Sequence, residues 1–518
     1  MALLRSVDAP RELHGRRKLG VFSPATLEPL GEIEIASADD VRRAVDKARS
    51  AQPAWAALSF ESRGRFLLRA RDLLVERADE IAEVICRDTG KPRIEAIATE
   101  VLASCDALTF YAKRARKLLR EQKQSVHLLK TKKLVLSWRP MGVVGIITPW
   151  NFPFVLSVNP TVQALMAGNA VVLKPSEITP FVGQALAKLL ADAGLPDGVF
   201  QLVTGDGGTG AALVDAGCDK ISFTGSVRTG RKIGEACGRA LIPCTLELGG
   251  KDPMIVCDDA DLERAARGAV WGAFSNAGQI CMSTERVYVS ERIAEPFIAR
   301  VVELTRELRQ GPETEGEVDV GAITSPAQLE IIERHVADAV ARGARVRTGG
   351  RRNPAFAGLF FEPTVLTGVD HDMAIMREET FGPCLPIQVV RDEEEALRLA
   401  NDTSFGLQAS VWTRDSGKGK RLANRLEAGG VVVDDCMVTY AMAESPFGGR
   451  KESGIGRVNG ELGLKSYCHV QSIVLPRLRP KREMLWYPYR AKDVARLKSV
   501  LRLLYRSPLA KLLGNSSA

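Results

Sequence analysis

Val143-Val144-Gly145-Ile146-Ile147, Ala170-Val171-Val172-Leu173-Lys174-Pro175 and Val199-Phe200-Gln201-Leu202-Val203 are short runs rich in β-branched and aliphatic residues, bounded by Gly and Pro. Such runs favour strands. Between them lie two stretches of helical character, 158–167 and 181–193. Strand, helix, strand in that cadence predicts a parallel, doubly wound α/β sheet. A further unit follows, in which Ile221-Ser222-Phe223-Thr224-Gly225-Ser226 leads into Val227 to Ile233 through small residues. Free amides at a helix N-terminus suit a pyrophosphate. The three-glycine dinucleotide fingerprint is absent, so a plain strand-to-helix turn reads equally well at this stage.

Upstream, apolar residues fall at helical spacing from 38 to 85, as in Val41, Ala44, Val45 and Ala48, with Ser37 or Asp39 placed to cap the first helix. Helical spacing continues over 88–120 through Ile94, Ile97 and Leu102, and Leu134 to Pro140 reads as an edge strand. Downstream, Val431-Val432-Val433-Asp434-Asp435 reads as another strand, and Asn401 as part of a supporting turn. No internal repeat or long linker interrupts the chain.

At 518 residues, the chain exceeds what one hydrophobic core usually organises. With 45% hydrophobic and 26% charged residues it has the balance of a globular enzyme. The N-terminal residues lack the apolar run of a secretory signal, and no stretch approaches the length of a membrane-spanning helix. Ten scattered cysteines, without paired metal spacing, fit reduced thiols in a cytoplasm and call for no metal. The net charge of +8 resides entirely in residues 479–518, which carry ten Lys or Arg against two acidic residues. The rest of the chain is formally neutral, which gives no support to nucleic-acid binding.

Chemistry enters with three groups in order. Asn151 lies in Pro149-Trp150-Asn151-Phe152-Pro153, Glu247 begins Glu247-Leu248-Gly249-Gly250-Lys251, and Cys281 stands 34 residues beyond Glu247 in Gly278-Gln279-Ile280-Cys281. A thiol can add to a carbonyl carbon, an amide can hold the resulting oxyanion, and a carboxylate can activate water. Most of the other cysteines, Cys86, Cys105 and Cys257 among them, read as small buried hydrophobes.

Together with Lys174-Pro175-Ser176-Glu177, Phe223-Thr224-Gly225-Ser226, Glu378-Glu379-Thr380-Phe381-Gly382-Pro383 and Ser445-Pro446-Phe447-Gly448-Gly449, these motifs closely resemble those of the aldehyde dehydrogenase superfamily, over about residues 20–475. The resemblance implies a Rossmann-like cofactor domain (1–117 and 141–247) and an α/β catalytic domain (248–448). It further implies a small β oligomerisation arm with the C-terminal part of the fold (118–140 and 449–480), and a homodimer or homotetramer. Cys281 would be the nucleophile, Asn151 an oxyanion donor, and Glu247 the base that hydrolyses the thioester. Relatives that pass the acyl group to coenzyme A generally lack this Glu, so the free carboxylic acid is the expected product. The resemblance also assigns Lys174 and Glu177 to the adenosine ribose, Trp150 and Ser226 to the pyrophosphate, and Glu379 to the nicotinamide ribose. Phe381 would pack near the ring, and Gly225 and Gly230 would allow close approach of the backbone. A carboxylate at Glu177 favours NAD over NADP, with NADP retained as an alternative.

Phe154, Val155, Leu156, Ile280, Met282 and Phe447, expected around the substrate, are all apolar, and no Lys or Arg adjoins Cys281. An apolar aliphatic or aromatic aldehyde, including a lipid-derived one, therefore fits better than a semialdehyde acid or amino-aldehyde. A catalytically idle relative retained for binding is the reading from another class. Two departures from the superfamily stand out. Val158-Asn159-Pro160 replaces a common Trp-Lys pair, and a basic amphipathic extension (481–518) follows the usual end of the fold. In it Val494, Leu497, Leu501 and Leu504 share helical spacing with Lys492, Arg496, Lys498, Arg502 and Arg506, after Trp486-Tyr487-Pro488-Tyr489. Such a segment suits peripheral contact through 484–513 with an anionic membrane face, or docking on protein.

Overall fold

Five parallel strands run in the order Phe200–Leu202, Ala170–Lys174, Val143–Ile147, Lys220–Thr224 and Cys244–Glu247. This is the doubly wound sheet expected from the sequence, seen in a computed structural model of the protein. The structure describes residues 11–13, 16–313, 317–483, 485–506 and 508. By packing, the chain divides into two units, one comprising the chain up to Arg120 and Trp138–Val470, the other Glu121–Ser137 and the chain from Gln471 on.

In the larger unit the cofactor-type sheet is apolar throughout its middle strands. Val143, Val144, Ile146, Val171, Val172, Leu173 and Ile221 are fully buried, because helices cover both faces. The winding reverses between Val143–Ile147 and Lys220–Thr224, so the C-terminal ends of these two strands open onto one crevice. The helices Val155–Ala167, Pro180–Asp192, Gly207–Asp215 and Val227–Ala240 alternate with the strands, each two or three residues from its expected start or closer where one was predicted.

A second sheet in the same unit has seven strands in the order Arg345–Thr348, Thr364–Thr367, Cys384–Val390, Thr284–Ser290, Asp252–Val256, Gln408–Trp412 and Gly430–Val433. All its neighbours are parallel except the first pair. The two sheets are joined across Leu248-Gly249-Gly250-Lys251. Within 449–480, expected to hold the arm and the C-terminal part of the fold, Gly454–Ile455 returns to the first sheet and pairs antiparallel with the edge strand Cys244–Glu247. That strand exposes backbone donors and acceptors that need a partner, and the returning chain supplies it.

The N-terminal helices are Ala38–Ala57, Phe60–Glu76 and Ala78–Thr89. Ser37, not Asp39, caps the first, in a reciprocal pair with Asp40: Asp40 N donates to Ser37 Oγ (3.2 Å) and Ser37 N to Asp40 Oδ2 (2.9 Å). Beyond them Ala96–Leu102 is π-helical before Ala103–Leu118 resumes α geometry. Ahead of them lies an antiparallel meander, Arg11–Leu13, Arg16–Phe22 and Pro29–Glu34, whose charged strands carry little periodic signal.

In the smaller unit Gln122–Gln124 and most of Lys132–Pro140 and Cys468–Pro476 belong to one three-stranded sheet. Lys132–Pro140 is its central strand rather than an edge, since Pro140 closes the strand and removes no donor from the middle of the ladder. The helix Ala491–Arg506 follows.

Candidate active site

The loop that carries Cys281 is bent by three consecutive left-handed residues, Asn276 (φ 50°), Ala277 (φ 53°) and Gly278 (φ 72°). A Cβ at Gly278 would lie 2.1 Å from the Gly382 carbonyl oxygen, so glycine is required on both steric and conformational grounds. Gln279 is fully buried and pins the loop. Its Oε1 accepts from Thr324 N (2.8 Å), and its Nε2 donates to the carbonyls of Asn276 (2.9 Å) and Ala322 (3.2 Å).

Glu247 ends the edge strand Cys244–Glu247 and is buried, with Oε1 lacking a hydrogen-bond partner. The two glycines that follow have separate reasons to be there. A Cβ at Gly249 would strike the Glu379 carboxylate at 2.4 Å, and one at Gly250 would lie 2.3 Å from the carbonyl oxygen of Cys281. Asn151, just past the strand Val143–Ile147, donates from Nδ2 to the Gln279 carbonyl (2.9 Å) and leaves Oδ1 unpartnered. These three side chains come together around one cavity of about 240 Å³, also lined by Trp150, Leu156, Gly225, Ser226, Glu379 and Phe381.

Burial dominates the electrostatics of this cavity. It pushes the Cys281 thiol well above the ordinary range, with the Glu247 carboxyl adding to the effect, and it raises Glu247 likewise, with Glu379 second. Glu379 itself is pushed up to about 8, first by burial and then by Glu285. Burial thus favours the neutral forms of Glu247, Glu379 and Cys281 alike.

Around the same cavity Ser226 caps the helix Val227–Ala240, accepting from Thr229 N (3.3 Å), and leaves first-turn amides at the crevice. Gly225 has no room for a Cβ, which would sit 2.5 Å from the Phe223 ring. Trp150 and Phe381 meet edge to face at 5.4 Å, and Phe381 takes a left-handed φ of 50°. That loop is held by Glu285, which accepts from Thr380 N (2.8 Å) and Phe381 N (2.9 Å) and pairs with buried Lys251 (2.5 Å). Gly250 N donates to Glu379 Oε1 (3.0 Å).

Other expected residues lie elsewhere. Lys174 ends the strand Ala170–Lys174 and binds Glu177 (2.8 Å), and Glu177 lines a separate cavity of about 540 Å³ with Ile178, Thr324 and Ser325. Gly230 is not at the cavity wall. Its missing Cβ makes room for Leu248, whose side chain would otherwise be 2.5 Å away, so it serves helix-to-sheet packing. Phe154 and Val155 are core residues rather than substrate contacts, and Ile280 packs into the core of the second sheet. Met282 and Phe447 do lie by Cys281, in an apolar cluster with Leu407, Val458 and Tyr440. Tyr440 is a contact the sequence reading missed, since neither spacing nor a neighbouring motif marks it. Asn159, where the superfamily pattern breaks, donates to Tyr440 Oη (3.3 Å) and Asn459 Oδ1 (2.5 Å).

The crevice at the reversal of a doubly wound sheet, the amides at a capped helix start and the glycine with no room for a side chain suit a dinucleotide. Lys174 with Glu177, and Glu379, can meet ribose hydroxyls.

Comparison with known proteins agrees. The model of the aldehyde dehydrogenase family matches residues 12–473. The chain is 40% identical to a 4,4'-diapolycopene aldehyde oxidase of Methylomonas sp., over 94% of this chain and 91% of that protein. It is also 40% identical to a putative NADP(+) succinate-semialdehyde dehydrogenase of Mycolicibacterium smegmatis, over 92% of each. Among solved structures, a Mycobacterium tuberculosis aldehyde dehydrogenase complexed with NAD+ superposes with a TM-score of 0.86 at 35% identity, covering 89% of this chain and 95% of that one. With a complete thiol, amide and carboxylate set at a dinucleotide crevice, the chain belongs to the aldehyde dehydrogenase family and oxidises aldehydes with NAD(P)+.

Proposed function

We propose that Cys281, Asn151 and Glu247 carry the reaction and that the preferred substrate is an apolar aldehyde. The observation behind the first part is the shared cavity, whose lining includes all three residues. The Cys281 thiol passes its proton to the Glu247 carboxylate, which releases it to solvent before hydrolysis; the sulfur adds to the aldehyde carbon, and the oxyanion is met by Asn151 Nδ2 and the Cys281 amide. A nicotinamide held in this crevice would supply the hydride acceptor, by which the carbon on Cys281 would reach the thioester level. Glu247 then takes a proton from water as the water oxygen attacks the thioester. The C–S bond breaks, the acid departs and the thiolate is restored. Lys174, Glu177, Trp150, Gly225, Ser226, Glu379 and Phe381 would hold and orient the cofactor, while Gly230 contributes through packing.

The apolar substrate rests on the cluster of Leu407, Phe447, Val458, Met282 and Tyr440 against Cys281, and among the described residues no Lys or Arg lines the cavity at Cys281. A distal carboxylate would be left without a charge-assisted partner there. The diapolycopene relative is named for a polyene aldehyde, whereas the mycobacterial one is named for a semialdehyde acid, the second reading. A panel of straight-chain aldehydes beside succinate semialdehyde separates them: kcat/KM greatest for the acid would reverse the assignment.

Delivery of such a substrate suits contact between the tail and an anionic lipid surface. Tyr487 (78%), Trp486 (57%), Val494 (54%) and Leu501 (57%) are exposed beside Lys492, Arg496, Lys498 and Arg502. Among the described residues, no helix is long and apolar enough to cross a membrane. Sedimentation with vesicles containing phosphatidylglycerol should need residues 484–518, and equal binding after their deletion would remove this part. A homodimer or homotetramer is supported by the exposed Val470 and Val474 on the edge strand Cys468–Pro476.

A further inference from the structure

Behind the cavity lies a pair of charges that the reaction does not use. Lys91 and Glu100 have fully buried side chains 2.7 Å apart. Removing two such charges from water costs several kcal/mol per ion, and a buried pair seldom adds net stability, so its retention calls for another reason. The contacts of the pair supply one. Lys91 Nζ also donates to the main-chain carbonyl of Asn151 (2.8 Å) and sits 3.9 Å from the centre of the Phe152 ring. Glu100 Oε2 accepts from Phe154 N (2.7 Å) and Val155 N (3.3 Å), fixing the start of the helix Val155–Ala167. The ion pair therefore grips the Asn151 loop on both sides of the residue that carries the amide.

A second grip comes from the same segment. Glu95 accepts from Ser275 Oγ (2.9 Å) and Asn276 N (2.9 Å), and Asn276 Nδ2 reaches the carbonyls of Asn151 (3.1 Å) and Gln279 (3.2 Å). Glu95 and Glu100 are five residues apart, with the π-helix Ala96–Leu102 beginning between them. Both carboxylates face inward to the two loops, Glu95 from just before the π-helix and Glu100 from within it. Because Asn151 Nδ2 spends one hydrogen on Gln279 O, the direction of its other hydrogen is set by where its peptide sits.

We propose that Lys91, supported by Glu100, is a positioning residue for the oxyanion donor, acting through the carbonyl of Asn151. This rests on the reading of Asn151 given above. Displacing a reacting or binding group by about 1 Å can cost on the order of 100-fold in rate. Removing Lys91 alone strands a buried carboxylate, so the test uses Lys91→Met with Glu100→Gln, which removes both charges together.

The paired variant should melt near the wild-type temperature and bind NAD+ and aldehyde within about twofold of wild type, yet lose roughly 10- to 100-fold in kcat. Added to Asn151→Ala, it should lower kcat by less than about twofold more, as residues acting through one group are not additive. Should the paired variant not fold, Lys91→Arg keeps the charges but shifts the donor, and the same kcat loss and non-additivity are expected. Wild-type kcat in the folded variant, or a loss fully additive with Asn151→Ala, overturns the proposal. Full kcat in Asn151→Ala alone would instead remove the oxyanion role, and this proposal with it.

Discussion

Replacing Glu247 by Gln isolates one step of the reaction. The side chain is buried, and Gln matches its shape, so no cavity opens. Burial already raises its pKa well above the usual range and disfavours the charged form, so a neutral amide changes stability by less than about 1 kcal/mol. The loss falls on thioester hydrolysis. A positioned base contributes about 10²- to 10⁴-fold, which is roughly 3 to 5 kcal/mol of barrier. Rapid mixing with aldehyde and NAD+ should give a burst of NADH approaching one equivalent per subunit, then a steady state slower by that factor. Intact mass should show the acyl group on Cys281. Wild-type steady-state turnover would refute the role, and loss of turnover with neither burst nor adduct would move Glu247 to a step before hydride transfer.

Gly278→Ala should be among the most destabilising single changes, because a left-handed φ of 72° costs about 1 to 2 kcal/mol and contact with Gly382 O at 2.1 Å adds about 1 to 3 more; unchanged thermal unfolding would contradict this. The raised acids fix the sign of the pH dependence. Thiolate and carboxylate are the working forms, so kcat/KM should rise with pH and fall as protons return, whereas a flat profile between about 6 and 9 would disagree. On straight-chain aldehydes each methylene buried against Phe447 and Met282 is worth about 0.8 kcal/mol, so kcat/KM should climb roughly fourfold per carbon until the pocket is full. No gain from butanal to octanal would argue against an apolar pocket.

The first sheet was legible because its strands are buried on both faces and write themselves as unbroken apolar runs, and Asn151, Glu247 and Cys281 because their neighbours form recognisable motifs. The N-terminal meander was not, since strands such as Arg16–Phe22 and Pro29–Glu34 are half exposed and charged. Gly454–Ile455 was missed for a different reason: two residues carry no periodicity, and the strand exists because an edge elsewhere needs it. Lys91, Glu95 and Glu100 look like ordinary surface charges, and their inward contacts appear only once the chain has folded around the Asn151 and Cys281 loops. Gly230 drew a cofactor role from its motif, but the space it leaves is filled by Leu248. Tyr440 and the core placement of Phe154 depend on which way a side chain points after the chain has turned, which linear spacing does not carry.

The return of Gly454–Ile455 to the first sheet also bears on how the enzyme is made. Glu247 lies opposite Gly454, and Leu248 N donates to the Ser453 carbonyl (3.1 Å). A nascent chain still short of residue 453 thus has its nucleophile but leaves the strand bearing its base with an open edge. The edge beside Glu247 therefore closes only once the chain has been made through Gly454–Ile455.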